Sequence, residues 1–148
     1  MYIPGNIIYF DPFYFKSGDA AKPKYFLVLY NKDEKTVLVS LPSSKFHLPA
    51  NIAIPHGCIN ISSLCISCYV FKSGVEICQN GWYFQLDTYL YGNWIDEYDV
   101  ALLHETYAIE GIEYEIKGKL LDEELKKVLD CFKNSNTVKR KFIRMLNS

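Results

Sequence analysis

The sequence predicts an α+β domain that is mainly β: a small, strongly bent antiparallel sheet or barrel with helices packed on it at the C-terminal end. Three observations support this class. A hairpin pattern occupies residues 22–44, further short apolar runs are separated by turn residues, and residues 121–147 show a clear helical period. With 148 residues, of which 49% are hydrophobic, the chain is long enough for one domain, 1–148, with its own core.

The hairpin is the central element of this prediction. Two runs rich in β-branched and aromatic residues, 25–30 and 36–41, flank a polar segment that favours a turn. In an antiparallel ladder, residues equidistant from the turn lie opposite each other, with Cβ atoms about 5 Å apart. Lys22 is therefore expected to meet Ser43 and Ser44 at the open end of the hairpin, within the one-residue shift that a bulge would introduce.

Shorter β-rich runs lie on both sides of the hairpin, each bounded by residues that favour turns. The segment between Pro42 and Pro49 could carry an edge strand at most, because proline has no N–H for a ladder. Residues 94–106 fit a helix and a strand equally well. The strand candidates are residues 7–10, 51–55, 66–71, 83–91 and 112–116.

The C-terminal segment predicts two helices. Apolar residues recur at helical spacing from Leu121 to Phe132, and acidic residues 122–124 occupy the first turn, where the helix dipole favours negative charge. The spacing repeats from Val138 to Leu146, in a shorter helix whose other face carries basic residues.

Charge is unevenly distributed along the chain, although the net charge is only −1. Residues 94–116 contain seven acidic residues and no Lys or Arg, whereas residues 133–148 contain five Lys or Arg and no acidic residue. This segregation fits both the steering of an anionic partner and two ordinary solvated surfaces. The sequence has no apolar run of roughly 20 residues and no signal-peptide pattern. We therefore expect a cytoplasmic protein without membrane contact, whose five cysteines are reduced thiols.

Two segments resemble the MazF/PemK family of toxin ribonucleases. The first is PGNII at residues 4–8 with Asp11, followed by Lys22-Pro23 before a hydrophobic strand. The family typically begins with a Pro-Gly-Asp strand and has Arg-Pro before a β-run. The second is IKGKL at residues 116–120, followed by an acidic helix start, which is similar to the last strand and closing helix of the family.

This resemblance implies an SH3-like barrel, a homodimer and metal-independent cleavage of single-stranded RNA, inhibited by a cognate antitoxin protein. It implies no cofactor. The catalytic pair of the family is an Arg before the Pro and a Thr after the next strand. Lys22 stands at the Arg position, and Ser43 or Ser44 near the Thr position. Lysine lacks the planar fork that grips phosphate with two bonds. The alternative is therefore a catalytically degenerate barrel that binds RNA or a partner protein without cleavage.

Cleavage through the RNA 2′-hydroxyl needs a proton acceptor, a proton donor and a cation near the phosphorane. Lys22 suits the third role, and Ser43 or Ser44 could donate a hydrogen bond to the phosphate. His47 would share a face with Ser43 in an extended chain, and imidazole can act as acid or base near neutral pH. These residues also have ordinary explanations: a surface lysine, turn serines and a structural histidine.

The other RNA-binding candidates are aromatic or basic. Aromatic rings stack on unpaired bases, and basic side chains contact phosphates, which makes binding salt-dependent. The candidates are Phe13, Tyr14, Phe15, Lys24, Lys139 and Arg140.

A structural zinc site is a further alternative, because His56, Cys58, Cys65, Cys68 and Cys78 fall within 23 residues. Against it, there is no second close pair of ligands. The C-x-x-C pair at 65 and 68 also lies in an apolar run, where free thiols are commonly buried. We therefore expect no metal.

Overall fold

The computed structural model describes residues 1–49 and 54–148, which form a mixed α/β fold that is mainly strand. The strands are β1 (Asn6–Phe13), β2 (Lys22–Lys32), β3 (Thr36–Ser40), β4 (Gly57–Ile61), β5 (Ile66–Phe71), β6 (Thr88–Tyr91), β7 (Asp96–Asp99) and β8 (Tyr114–Lys119). The helices are α1 (Val100–Thr106), α2 (Asp122–Lys133) and α3 (Arg140–Leu146).

The strands form two antiparallel sheets. The larger has the order β7-β3-β2-β1-β8, and the smaller has the order β4-β5-β6. One bridge joins them at the backbone: the N–H of Ser43 donates to the carbonyl of Tyr89 (3.0 Å), and the N–H of Tyr89 donates to the carbonyl of Ser43 (2.7 Å). In the part of the chain that the structure describes, the sheets do not close into a barrel.

The predicted hairpin is formed by β2 and β3. The last ladder pair before the turn is Lys32 with Thr36, and the turn residues Asp33 and Glu34 have positive φ values of 54° and 59°. Both acidic residues adopt the left-handed conformation, which Asp tolerates better than most residues. The register shifts between Val28 and Tyr30, so a bulge interrupts the ladder.

Several other elements differ from their predicted bounds. The ambiguous segment 94–106 contains both a strand, β7, and a helix, α1. Of the candidate strand 83–91, only the last four residues form β6. The late strand, β8, begins two residues later than predicted and extends to Lys119. The candidate strand 51–55 lies mostly outside the described residues.

The larger sheet is buried on both faces, which is why β2 contains four consecutive buried residues. Phe26 and Val28 face one core together with Val100 and Leu103 of α1. Leu27 and Leu29 face a second core, which contains residues of the smaller sheet, α2 and α3. Alternation of side chains along a strand assigns neighbouring residues to the two opposite cores.

An aromatic cluster fills the core on the α1 side. The Phe10 ring packs against Phe26 (4.8 Å between centroids) and Tyr107 (4.5 Å), and Phe13 packs against Phe26 (4.8 Å). Phe13 is 1% exposed. The Phe13 ring, predicted to stack on RNA bases, therefore lies in the core and presents no exposed face to a base.

One pair of cysteines is bonded. Cys58 of β4 and Cys131 of α2 form a disulfide with a Cα–Cα distance of 5.6 Å. The expectation that all five cysteines are reduced is therefore wrong for this pair. The three free cysteines comprise exposed Cys65 and buried Cys68 and Cys78. The bond attaches α2 to the edge strand of the smaller sheet.

Removing the central ring of the aromatic core should destabilise the fold. We expect Phe26→Ala to lower the free energy of unfolding by about 3–5 kcal/mol, because it leaves a cavity beneath α1. The matched control is Ile112→Ala, whose side chain is 74% exposed and which should change it by less than about 0.5 kcal/mol. Urea unfolding measures both, and equal effects would contradict this view of the core.

Candidate functional site

A cleft of about 490 Å³ lies where the two sheets meet. Its walls come from the start of β2, from residues 42–45 after β3, and from residues 82–86 before β6 together with Thr88 of β6. Tyr9 of β1 and Lys117 of β8 complete the lining. The Ser43–Tyr89 bridge lies at the edge of the cleft and joins the wall that follows β3 to the wall that contains β6.

Four lysines line the cleft: Lys22, Lys24, Lys45 and Lys117. Lys22 and Lys24 are two residues apart on β2, which places their side chains on the same face of the sheet. Burial lowers the pKa of Lys24, and the charges of Lys22 and Lys45 lower it further. Three ammonium groups are therefore close enough to repel one another.

The described residues that line the cleft include no Asp or Glu. One carboxylate, on exposed Glu115, reaches Lys117 from outside the lining, with an Nζ–Oε2 distance of 2.8 Å. The other three lysines form no salt bridge within the described part of the chain. The cleft therefore has a positive potential that an anion would lower.

Aromatic rings line the same cleft. Tyr25 lies 4.9 Å from Tyr9 and 5.8 Å from Trp82, and Trp82 lies 4.8 Å from Phe84, all measured between ring centroids. Tyr25 and Trp82 are partly exposed. Burial raises the pKa of the Tyr25 hydroxyl, which keeps this group neutral. Rings beside lysines are the combination found in grooves for single-stranded nucleic acid.

The two serines also line the cleft, together with Lys22. Ser43 is 8% exposed, and its Oγ accepts a hydrogen bond from the Lys45 N–H (3.1 Å). Among the described residues, the Ser43 hydroxyl donates to no acceptor, so it can donate to a ligand. Ser44 is exposed.

Lys22 and Ser43 reach the cleft by a route other than the predicted ladder. The β2–β3 pairing ends at Leu27 with Ser40, and the chain then leaves β2 to bridge β6. The cation and the hydroxyl therefore share a cavity, but they are not a cross-strand pair.

The structure does not place His47 in this cleft. Its N–H donates to the Tyr91 hydroxyl (2.9 Å), and its ring lies 5.5 Å from both Tyr91 and Trp94. It lines a different cavity, together with Tyr91 and Trp94.

The remaining predicted RNA-binding residues are dispersed. Phe15 lies near the cleft, because its ring centroid is 5.7 Å from the Lys22 ammonium. Tyr14 is 60% exposed. Lys139 and Arg140 are exposed at the start of α3 and do not line the cleft.

Sequence reasoning did not select Lys45, Lys117, Tyr25 or Trp82. Alternation along β2 places Tyr25 on the face opposite Lys22 and Lys24, so this pattern does not predict that all three line one cleft. Lys45 and Trp82 reach the cleft through long-range packing of irregular segments, which leaves no periodic pattern in the sequence.

The proposed zinc ligands have other partners. His56 Nε2 lies 2.6 Å from Glu124 Oε1, and His56 Nδ1 accepts a hydrogen bond from the Lys72 N–H (3.1 Å). Cys58 is bonded to Cys131. Within residues 1–49 and 54–148, no three His, Cys, Asp or Glu side chains converge as metal ligands.

Compared with known proteins, the chain matches no protein-family model and no curated protein sequence. Among the described residues, no helix has both the length and the apolar character needed to cross a bilayer.

The lowered pKa of Lys24 predicts a pH-dependent contribution to stability. Between the pKa in the folded state and the ordinary lysine value of about 10.4, the unfolded chain binds more protons. The contribution of Lys24 to stability therefore rises with pH across this window. We expect the free energy of unfolding of the native protein to rise relative to that of Lys24→Met between about pH 7 and about pH 10.

Urea unfolding of both proteins across this range measures the difference. The tyrosines titrate in both proteins, so their contribution cancels when one free energy of unfolding is subtracted from the other. A difference that stays constant with pH would contradict the electrostatic crowding described for Lys24.

Proposed function

We propose that this protein is a metal-independent endoribonuclease of the MazF/PemK type, which binds and cuts single-stranded RNA in the lysine-lined cleft. The observation that supports it is the convergence of Lys22, Lys24 and Lys45 with Ser43 and Ser44 around one cavity. These residues offer fixed positive charge and hydroxyl donors together, as the resemblance of the sequence to that family implies.

The substrate class follows from the chemistry of the walls. Clustered ammonium groups without a lining carboxylate favour a ligand with several negative charges, and a phosphodiester backbone supplies them at regular intervals. The exposed parts of Tyr25 and Trp82 offer faces for unpaired bases. A double helix would hide those base faces, so the substrate is single-stranded RNA.

The reaction needs no group beyond the cleft and the RNA. Lys24, whose pKa is lowered by burial and by the charges of Lys22 and Lys45, is the group that accepts the proton of the 2′-hydroxyl as the 2′-oxygen attacks phosphorus. Lys22 offsets the charge of the phosphorane, and Ser43 donates a hydrogen bond to a phosphate oxygen. The bond from phosphorus to the 5′-oxygen breaks, and the Lys45 ammonium protonates the leaving oxygen. The products are a 2′,3′-cyclic phosphate and a 5′-hydroxyl.

The resemblance to this family also implies an architecture and partners for the protein. These are an SH3-like barrel, a cytoplasmic homodimer and a cognate antitoxin. An acidic segment of an antitoxin would have the charge complementary to the cleft, and it would compete with RNA for the same lysines.

A second function, RNA binding without cleavage, is supported by two observations. Lysine replaces the expected arginine at position 22, which removes bidentate phosphate contact. His47, the one histidine proposed for proton transfer, lies in another cavity. Both functions use the same cleft, so cleavage itself separates them.

The decisive experiment incubates the purified protein with single-stranded RNA in EDTA. We expect cleavage that leaves cyclic phosphate ends, detected by mass spectrometry of the fragments. Lys22→Ala should lower the rate by at least about 100-fold, with a nearly unchanged melting temperature because the side chain is exposed. The matched control is Lys32→Ala, because Lys32 is an exposed residue of β2 outside the cleft. Binding without cleavage by the native protein would favour the second function.

Binding itself should depend steeply on salt. Using an RNA with 2′-deoxy nucleotides to prevent cleavage, we expect Lys45→Met to weaken binding to all sequences. It should also reduce the slope of log K against log salt concentration by about 0.7, the value for one phosphate contact with a single strand. Lys32→Met should leave the slope unchanged. A slope that Lys45→Met does not alter would remove this lysine from the phosphate path.

A further inference from the structure

A second cavity, of about 340 Å³, lies beside the cleft and is not used by the proposed reaction. Its aromatic wall consists of His47, Tyr91 and Trp94. The ring centroids are 5.5 Å apart for both pairs that include His47 and 4.9 Å apart for Tyr91 and Trp94. His47 and Trp94 are exposed, so their rings are accessible to a ligand.

Other residues that line this cavity offer neutral hydrogen-bonding groups. Ser67 is 5% exposed, and its Oγ has no hydrogen-bond partner among the described residues. A buried hydroxyl without a partner loses free energy that a ligand could restore. The amide of exposed Asn93 and the hydroxyl of Thr137 line the same cavity.

The described residues that line this cavity include no Lys, Arg, Asp or Glu. A phosphate would find no lysine or arginine there, and an ammonium group would find no carboxylate. A flat, neutral ring with hydrogen-bonding edges fits both the aromatic wall and the polar groups.

One short segment connects the two cavities. Ser44 and Lys45 line the cleft, and His47 lines the second cavity. The Tyr91 hydroxyl fixes this segment, since it donates to the Lys45 carbonyl (2.6 Å) and accepts from the His47 N–H (2.9 Å). Three residues of extended chain span at most about 11 Å, so the cavities lie close together.

We infer that the second cavity is a subsite for an unpaired nucleobase, which stacks on the face of Trp94 and hydrogen-bonds to Ser67 and Asn93. The His47 ring, inclined at 78° to that of Trp94, would contact the edge of the base. The inference that this base belongs to the RNA strand held in the cleft rests on the proposed function. The binding of a free nucleoside is independent of the proposed function, because a nucleoside has no phosphate and needs no lysine.

The two tryptophans of the chain provide separate reporters. Trp82 lies in the cleft and Trp94 in the second cavity. In Trp82→Phe, we expect adenosine, guanosine, cytidine or uridine to quench the fluorescence of Trp94 saturably. In Trp94→Phe, the same nucleosides should leave Trp82 unchanged, whereas 2′-deoxy-substituted RNA should change its emission.

Ser67→Ala in the Trp82→Phe protein should weaken nucleoside binding by about 5-fold, the effect of losing one hydrogen bond. It should not destabilise the fold, because no protein group loses a partner. If either tryptophan variant fails to fold, NMR of the unsubstituted protein replaces the fluorescence measurement. Its two indole N–H resonances then show which tryptophan responds to nucleosides and which to RNA.

The outcomes separate the two proposals. Quenching of Trp94 by nucleosides without any RNA response at Trp82 would support the subsite and contradict the cleft. An RNA response at Trp82 without nucleoside quenching of Trp94 would support the cleft and overturn the subsite. Quenching of Trp94 by choline but not by nucleosides would also overturn it, since the cavity would then select a cation.

Discussion

The pairing of Ser43 with Tyr89 is the constraint on which the arrangement of this molecule depends. Two backbone hydrogen bonds, of 3.0 and 2.7 Å, form this pair where the chain leaves the larger sheet and joins the smaller one. Because of this pairing, the segment after β3 turns away from β2 and opens a space beside Lys22 and Lys24. The cleft is thus a consequence of how the two sheets are connected.

The hairpin and the C-terminal helices follow from local patterns, and the sequence was sufficient to predict them. β-branched residues beside a polar turn and apolar residues at helical spacing act over a few neighbouring positions. The segment 94–106 has two elements within 13 residues, so no single period describes it. β6 is shorter than predicted because it begins only at Thr88, the first residue of this segment that pairs with β5.

The candidate site was predictable only in part, for a related reason. Alternation on a strand places Lys22 and Lys24 on one face, and this needs no knowledge of distant contacts. Whether an aromatic residue is buried depends on what covers it. Phe13 meets Phe26 and Tyr107 from distant parts of the chain, whereas Trp82 remains half exposed. His47 fails to share the face of Ser43 because the chain between them does not continue as a strand.

The bond between Cys58 and Cys131 closes a loop across 73 positions of the chain. Glutathione and thioredoxin keep most such pairs open in the cytosol, while exported proteins retain them. In a reducing compartment, α2 would be held to the smaller sheet by its apolar contacts and by the polar contacts of Glu124 and Asn60 alone. The rigidity of that half of the molecule would then report the redox state of its surroundings, although the lysine-lined cleft lies elsewhere.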